Sequence, residues 1–311
     1  MKILLTGGCG FIGTNIALRC LDEGWDVCNV DWDINQVKRA NEVLPTYKVC
    51  ADFASDKILD RVRDQEFDVI LHQAAVPRVS YSVENPAETN DVNVTKTVQL
   101  LEAAAGNCRR FVFASSSSIY GGTENLPTPE TEPLNPQSPY ALQKRVGEDY
   151  IRMMCEFYGL DAICLRYFNV FGPHQFADNA YATVVSAWCG AVSRGEPLRL
   201  DGTGEQSRDM CHVQNVVNAN ILAATSDKKF KGEACNIACD DRVSLLEILD
   251  VFKKRWNVEV NHAPPRAGDI MHTRADISYA KELIGYEPEV QFWDGLESTF
   301  DWWGISNKVC P

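Results

Sequence analysis

No stretch of this sequence approaches the ~18 consecutive apolar residues that a membrane-spanning helix requires. Its start, Met1-Lys2-Ile3-Leu4-Leu5-Thr6-Gly7, has too short an apolar run for the core of a secretory signal. There is no C-x-x-C pair among its 12 cysteines, and none of its five histidines stands near a cysteine at zinc-ligand spacing. His72, at a strand end, reads as a packing or hydrogen-bonding residue; His174, His212, His262 and His272 show no ligand spacing, and no metal is expected. Most cysteines lie in apolar runs such as Val27-Cys28-Asn29-Val30 and Ile163-Cys164-Leu165, where a thiol behaves as a small hydrophobe. The expectation is reduced, buried thiols in the cytoplasm. Positive charge is scarce: 30 Lys and Arg against 43 Asp and Glu leave a net charge of −13. So acidic a surface repels nucleic acid and anionic lipid, so neither is an expected partner. A phosphate-bearing ligand would have to be held by locally placed arginines.

What is present is the composition of an ordinary globular chain: 311 residues, 45% apolar and 23% charged, enough for one large core or two joined lobes. Up to about residue 165, strand and helix signals alternate. Strands are expected at Ile3 to Thr6, Trp25 to Val30, Tyr47 to Ala51, Val69 to His72, Arg110 to Ala114 and Ala162 to Arg166. Helices are expected at Phe11 to Glu23, Ile58 to Arg63, Thr95 to Ala105 and Tyr140 to Tyr158. That alternation predicts βαβ units and a doubly wound parallel sheet, an α/β fold of the Rossmann type. After Phe171 the texture changes. Helices are expected at about Tyr181 to Ser193, Val213 to Ala224, Leu245 to Lys254 and Ser278 to Leu283, with a loop-rich stretch running to Asp209 and a Pro-Pro-Arg turn at 264–266. The expected division is a nucleotide-binding domain over 1–168, with contributions from about 211–237, and a smaller lobe made of 169–210 and 238–311. No internal repeat or low-complexity segment is present.

Gly7, Gly10 and Gly13 lie in Thr6-Gly7-Gly8-Cys9-Gly10-Phe11-Ile12-Gly13, between the first strand and the first helix. Glycines at this spacing let the chain turn tightly, let a pyrophosphate approach the backbone, and let helix and strand pack closely. The helix N-terminus adds free N–H groups and a positive dipole end. Asp31, ending the second strand about 20 residues on, suits adenosine ribose hydroxyls and would repel a 2′-phosphate, so NAD is expected over NADP. The competing reading of Asp31 is a turn residue. Asp52, after the third strand, is either a partner for the adenine amine or a surface-loop carboxylate.

Tyr140-Ala-Leu-Gln-Lys144 puts Tyr and Lys four apart on one helix, facing the same way. Free tyrosine has a pKa near 10, and a general base works best near the operating pH. A neighbouring ammonium and a cationic nicotinamide would favour the phenolate; a shift of ~3 units requires ~4 kcal/mol, within reach of two close cations in a dry site. Alone, Tyr-x-x-x-Lys is a weak pattern, but Tyr140 is the single tyrosine of ten followed by Lys at that spacing. Upstream, the apolar run Phe111 to Ala114 leads into Ser115-Ser116-Ser117-Ser118-Ile119-Tyr120-Gly121. Hydroxyls at the carboxyl end of a parallel strand stand where α/β enzymes place their chemistry.

Taken together, the glycine loop, His72-Gln73-Ala74-Ala75, Asn93, the serine strand end, Tyr140 with Lys144, Leu165-Arg-Tyr-Phe-Asn169-Val-Phe-Gly-Pro173, Gly204-Glu-Gln-Ser-Arg208-Asp209, Arg266-Ala-Gly-Asp269 and Arg274-Ala-Asp276 resemble, in order and over essentially the whole chain, the nucleotide-sugar epimerase and dehydratase branch of the extended short-chain dehydrogenases. The resemblance implies an NAD-dependent enzyme with a UDP-sugar substrate. It implies that NAD is held by Gly7, Gly10, Phe11, Ile12, Gly13, Asp31, Asp52, Phe53, Gln73, Ala74, Ala75, Asn93, Ser115 and Tyr167 together with Tyr140 and Lys144. It implies Ser116 as the hydroxyl on the reacting sugar oxygen, Tyr140 as the base and Lys144 as its electrostatic partner. It implies Asn169, Arg208 and Arg266 as contacts to the UDP half, with Ser117, Asp269 and Thr273 also on the substrate side. Pro77 stands where some members carry Lys, and Arg78 is the adjacent cation that could take that contact. Family members are usually homodimers packing two helices per subunit; the helices around 92–106 and 140–158 are the candidates.

Every chemistry of this branch begins with hydride abstraction from sugar C4. Dehydratases then need an Asp-Glu pair after the catalytic hydroxyl, and decarboxylases a Glu two residues before the strand-end Tyr. Ser117 and Ser118 occupy those positions here. The resemblance therefore implies inversion at C4 of UDP-glucose or UDP-galactose. Thr273, at a position that gates a 2-acetamido group, leaves space toward UDP-GlcNAc and UDP-GalNAc. A UDP-glucuronate decarboxylase and a non-catalytic NAD-binding regulator are the alternatives; Ser118 weighs against the first, and Tyr140 with Lys144 against the second.

Overall fold

The computed structural model of the chain describes residues 1–45, 47–177, 183–265 and 270–306. In chain order, strands β1 (Lys2–Thr6), β2 (Asp26–Asp31), β3 (Tyr47–Cys50), β4 (Val69–His72), β5 (Arg110–Ser116) and β6 (Ala162–Tyr167) are followed by β7 (Leu198–Asp201), β8 (Ser207–Arg208), β9 (Lys231–Ile237), β10 (Val243–Ser244) and β11 (Val260–Ala263). The helices are α1 (Phe11–Asp22), α2 (Ile34–Ala40), α3 (Asp56–Arg63), α4 (Val79–Glu84), α5 (Pro86–Asn90), α6 (Lys96–Ala104), α7 (Pro139–Tyr158), α8 (Val184–Arg194), α9 (Val213–Thr225), α10 (Leu245–Arg255), α11 (Ser278–Ile284) and α12 (Phe292–Trp302).

Seven strands form one parallel sheet in the order β3-β2-β1-β4-β5-β6-β9. Parallel sheets are covered on both faces, so their strands carry continuous apolar runs. Ile3, Leu4 and Leu5 of β1 are fully buried. Residues of α1, α9 and α11 pack on one face of the sheet, and residues of α3, α6 and α7 on the other. The order reverses at β1, and a crevice opens beyond the carboxyl ends of β1 and β4 at that switch point, where open α/β sheets bind ligands.

A second core gathers Phe171, Trp188, Leu198, Phe252, Trp256, Phe292 and Phe300. The stretch expected to be loop-rich up to Asp209 instead contains β7 and β8. β7 pairs in parallel with β11, and β8 pairs antiparallel with β10. These strands are two to four residues long, too short for a period-2 pattern to emerge. The expected helix from about Tyr181 is seen from Val184 to Arg194; residues 181 and 182 lie outside the described residues. Arg266, expected in a Pro-Pro-Arg turn, also lies outside them.

Candidate active site

Two adjoining cavities, of about 500 and 420 Å3, share Ile12, Pro77, Ser115, Tyr140, Tyr167 and Val170. They form one cleft between the sheet's carboxyl edge and the second lobe.

The larger cavity begins at the glycine loop. A Cβ on Gly13 would sit 2.1 Å from the Gly7 carbonyl oxygen, so only glycine lets α1 pack this close to β1. A Cβ on Gly10 would meet nothing closer than 3.4 Å. Gly10 is also the N-cap of α1, and no side chain caps the helix. The first N–H groups of α1 are therefore available to a phosphate, at the positive end of the helix dipole. Asp31 lines the same cavity; its carboxylate accepts from the Cys9 N–H (3.2 Å) and the Asp33 N–H (3.1 Å). Burial raises its carboxyl above the ordinary range, and those N–H donors oppose the shift. Such an acceptor suits ribose hydroxyls and disfavours an added phosphate. An uncapped helix end, close backbone approach and an acidic strand end together fit NAD.

Phe11, Phe53, Gln73, Ala74, Ala75 and Tyr167 also line this cavity. The Tyr167 hydroxyl donates to Gln73 Oε1 (3.1 Å) and accepts from Asn220 Nδ2 (2.8 Å). Asp52 turns elsewhere: Lys96 Nζ lies 2.7 Å from its Oδ2, and its Oδ1 accepts from the Ala54 N–H. Asn93, in a widened helical turn over Asp91–Thr95, accepts from the Val76 N–H (2.8 Å) and donates to the Val76 carbonyl (3.1 Å). Asn93 thus pins the loop after β4, where Ala74 to Pro77 line the cavity. Trp32 and Gln36 line it too. Sequence reading passed over both because α2 is only seven residues long and follows the Asp31-Trp32-Asp33 turn. His72 is buried, its ring nitrogens pairing with the Thr6 and Thr97 hydroxyls (2.6 and 3.0 Å); burial pushes its pKa down to about 3, which keeps it neutral.

At the junction of the two cavities stand the hydroxyl residues, Tyr140 and Lys144. Pro139 at the first turn and Ser138 as N-cap start α7, so Tyr140 and Lys144 lie one turn apart. Lys144 is buried; its Nζ donates to the Ala114 carbonyl (2.7 Å) and lies 5.9 Å from the centre of the Tyr140 ring. Burial pushes the Lys144 ammonium down to about 8. It therefore still carries its charge for the most part at neutral pH. Ser116 Oγ accepts from both the Ser118 N–H (3.2 Å) and the Ser118 hydroxyl (2.9 Å). Its own proton is left to donate into the cavity. Ser115 instead donates to Glu148 Oε1 (2.5 Å), which also receives Arg166 Nε (3.0 Å). Sequence reading did not find Glu148, although it stands four residues after Lys144 on the same helix face.

The smaller cavity is lined by Ser116, Ser117, Asn169, Arg208 and Thr273, joined by Thr123, Leu126, Ile270 and His272, which sequence reading did not single out. No carboxylate is among its described lining residues. Arg78 caps the start of α4, its guanidinium 5.8 Å from the Tyr81 ring centre. Arg266 and Asp269 lie outside the described residues. No helix among the described residues is long and apolar enough to cross a membrane.

Comparison with known proteins agrees with this geometry. The family described as the NAD dependent epimerase/dehydratase family matches residues 3–238. A UDP-glucose 4-epimerase of Mycolicibacterium smegmatis is 32% identical, covering 97% of this chain and 98% of its own. A UDP-N-acetylglucosamine 4-epimerase of Methanobrevibacter ruminantium, solved with UDP-N-acetylmuramic acid, superposes with a TM-score of 0.88 at 32% identity, over 97% of both chains. A UDP-glucuronic acid 4-epimerase of Bacillus cereus, solved with UDP-glucuronic acid and NAD, gives 0.87 at 28% identity, over 98% of this chain and 99% of that one.

Proposed function

The chain belongs to the NAD-dependent epimerase/dehydratase family, and we propose that within it the protein inverts C4 of a UDP-hexose. The observation that carries this reading is the set of groups at the cleft junction: Ser116, Tyr140 and Lys144 are present, while no carboxylate lines the adjoining sugar-sized cavity among the described residues. Bound NAD supplies a hydride acceptor that is also a donor, so oxidation and reduction cancel over one turnover. Tyr140 takes the proton of the C4 hydroxyl and later returns it, while the Lys144 ammonium favours its phenolate. Ser116 donates to the same oxygen and orients it. Gly10, the N-terminus of α1 and Asp31 hold the cofactor, and Asn169 and Arg208 the UDP half, with Arg266 assigned to it by resemblance alone. Without an acid–base pair beside Ser116, the transient 4-keto sugar has no route to lose water, and Ser117 and Ser118 can only hydrogen-bond.

UDP-glucose and UDP-galactose are the proposed substrates. Thr273 Oγ1 accepts from the Asp209 N–H (3.1 Å) and from Asn169 Nδ2 (3.2 Å), so this small side chain is tied back, which supports acceptance of 2-acetamido sugars. The same reading assigns 1–168, with about 211–237, to the NAD-binding lobe and places the protein in the cytoplasm. Incubation of the purified protein with UDP-glucose, UDP-GlcNAc and UDP-glucuronate, each without added reductant, followed by NMR, tests it. C4 epimers are expected with no net NADH. Carbon dioxide from the third substrate, or a stable 4-keto-6-deoxy sugar, would assign another chemistry of the family.

A homodimer is part of this proposal. Leu142, Met153 and Phe157 leave an apolar stripe on α7 exposed to 50%, 48% and 65%, which supports this element. Sedimentation is expected to give twice the chain mass of 34.7 kDa, and Phe157→Glu to give the monomer; a wild-type monomer at micromolar concentration would remove this element.

A further inference from the structure

Asp209 is fully buried, lines neither cavity of the cleft, and has no part in the chemistry described above. Its carboxylate accepts from two peptide N–H groups of separate segments, Cys239 through Oδ1 (2.8 Å) and Ala275 through Oδ2 (3.0 Å). Its own backbone N–H donates to Thr273 Oγ1 (3.1 Å), and its carbonyl accepts from Asn169 Nδ2 (2.9 Å). Arg208 is its chain neighbour. Asn169 and Arg208, proposed to hold the UDP half of the substrate, and Thr273 beside the sugar therefore meet at this one aspartate, and two further segments of chain are tied to it. Among the described residues no lysine, arginine or histidine hydrogen-bonds the carboxylate; the Ala275 and Cys239 N–H groups offset its burial.

We propose that Asp209 is a positioning residue that sets affinity for the nucleotide-diphosphate part of the substrate by holding Asn169, Arg208 and Thr273 in register. The assignment rests on the functional reading above. A buried carboxylate can accept both N–H groups at once. A protonated carboxyl or an amide can accept from one and must turn a donor toward the other. Neutralising Asp209 should therefore release one of the two ties and loosen the site it braces. Burial pushes its pKa up to about 7, helped by Asp240 and Asp241, while the Ala275 and Cys239 N–H groups oppose the rise. Among the described residues the Cys211 thiol and the Tyr286 hydroxyl also face it, and Arg274 Nε lies 3.0 Å from Asp240 Oδ1. The carboxylate form prevails above about pH 7 and is lost as pH falls through it.

Asp209→Asn copies the protonated state. Equilibrium binding of UDP-glucose is the readout, because its diphosphate diester does not titrate between pH 6 and 8. At pH 8 the variant is expected to bind at least about tenfold more weakly and to show a matching rise in KM. Its kcat at saturation should stay within about threefold, and it should keep its NAD, which marks an intact fold. The wild type should lose affinity as pH falls from 8 to 6, and the variant should lose that dependence. Asp240→Asn provides an independent arm. Asp240 sits at φ +53°, where Asn is well tolerated, and removing its charge should move the wild-type loss of affinity to lower pH. Unchanged affinity and pH dependence in Asp209→Asn, or an unmoved profile in Asp240→Asn, would overturn the assignment. Failure of the unaltered protein to bind UDP-glucose at all would overturn the functional reading, and this assignment with it.

Discussion

Replacing Tyr140 with Phe is expected to lower kcat by about 10²- to 10⁴-fold, the usual contribution of a positioned acid–base group, with a much smaller change in KM and no loss of NAD. The substitution removes one oxygen. Tyr140 is 9% exposed, and its ring packs at the start of α7, where the Tyr140 N–H donates to Ser82 Oγ (3.1 Å). Phe keeps both the ring and the backbone contact. What is lost is the proton acceptor one helical turn from the Lys144 ammonium. Ser116 cannot replace it, since a hydroxyl without a cation to stabilise its anion is no base at neutral pH. The measurement is a full rate curve on UDP-glucose, with cofactor content determined on the same sample. A variant that retains more than a few per cent of wild-type kcat would contradict the assigned base.

Most of the positions around Tyr140 were legible in the sequence, because they repeat a local rule. Gly13 announces itself through strand–glycine–helix order, and the packing that demands it is entirely local. Tyr140 and Lys144 share a helix, so their spacing alone puts them on one face. The six strands of the first half were readable as apolar runs, since a strand buried on both faces needs no partner to be recognised. β9 was not, because it enters the sheet from the far end of the chain and only pairing with β6 makes it a strand. The short β7 and β8 depend on the second lobe in the same way. Side-chain direction was not readable from local pattern. Only the family resemblance chose Ser116 over Ser115, and in the structure the Ser115 hydroxyl is engaged by Glu148. The partners of Asp52 and Asn93 were equally unreadable, since Lys96 and Val76, which meet their polar atoms in the structure, carry no signal in the local pattern.

Glu148 is also where the largest loss of stability is expected. Its carboxylate and the Arg166 guanidinium are both about 7% exposed and meet at 2.7 Å. Arg166 donates in addition to the Tyr120 hydroxyl (2.8 Å), which donates to Asn236 Oδ1 (2.7 Å). Thus α7, β5, β6 and β9 are tied behind the serine strand end. Glu148→Gln leaves the guanidinium buried without a counter-charge, an imbalance of about 3–5 kcal/mol. The expected fall in Tm is on the order of 5–10 °C. Adding Arg166→Met to the same chain removes the stranded charge and should recover a large part of that loss, because the cost of breaking a buried pair lies mainly in the uncompensated charge left behind. Recovery of stability need not restore turnover. Glu148 also raises the Lys144 ammonium against its burial, and Gln carries no charge to do so, so the double variant should melt near the wild type yet remain slow. A double variant that regained both would show that Glu148 serves the fold alone; equal melting temperatures for Glu148→Gln and the wild type would show that the pair contributes nothing to the fold.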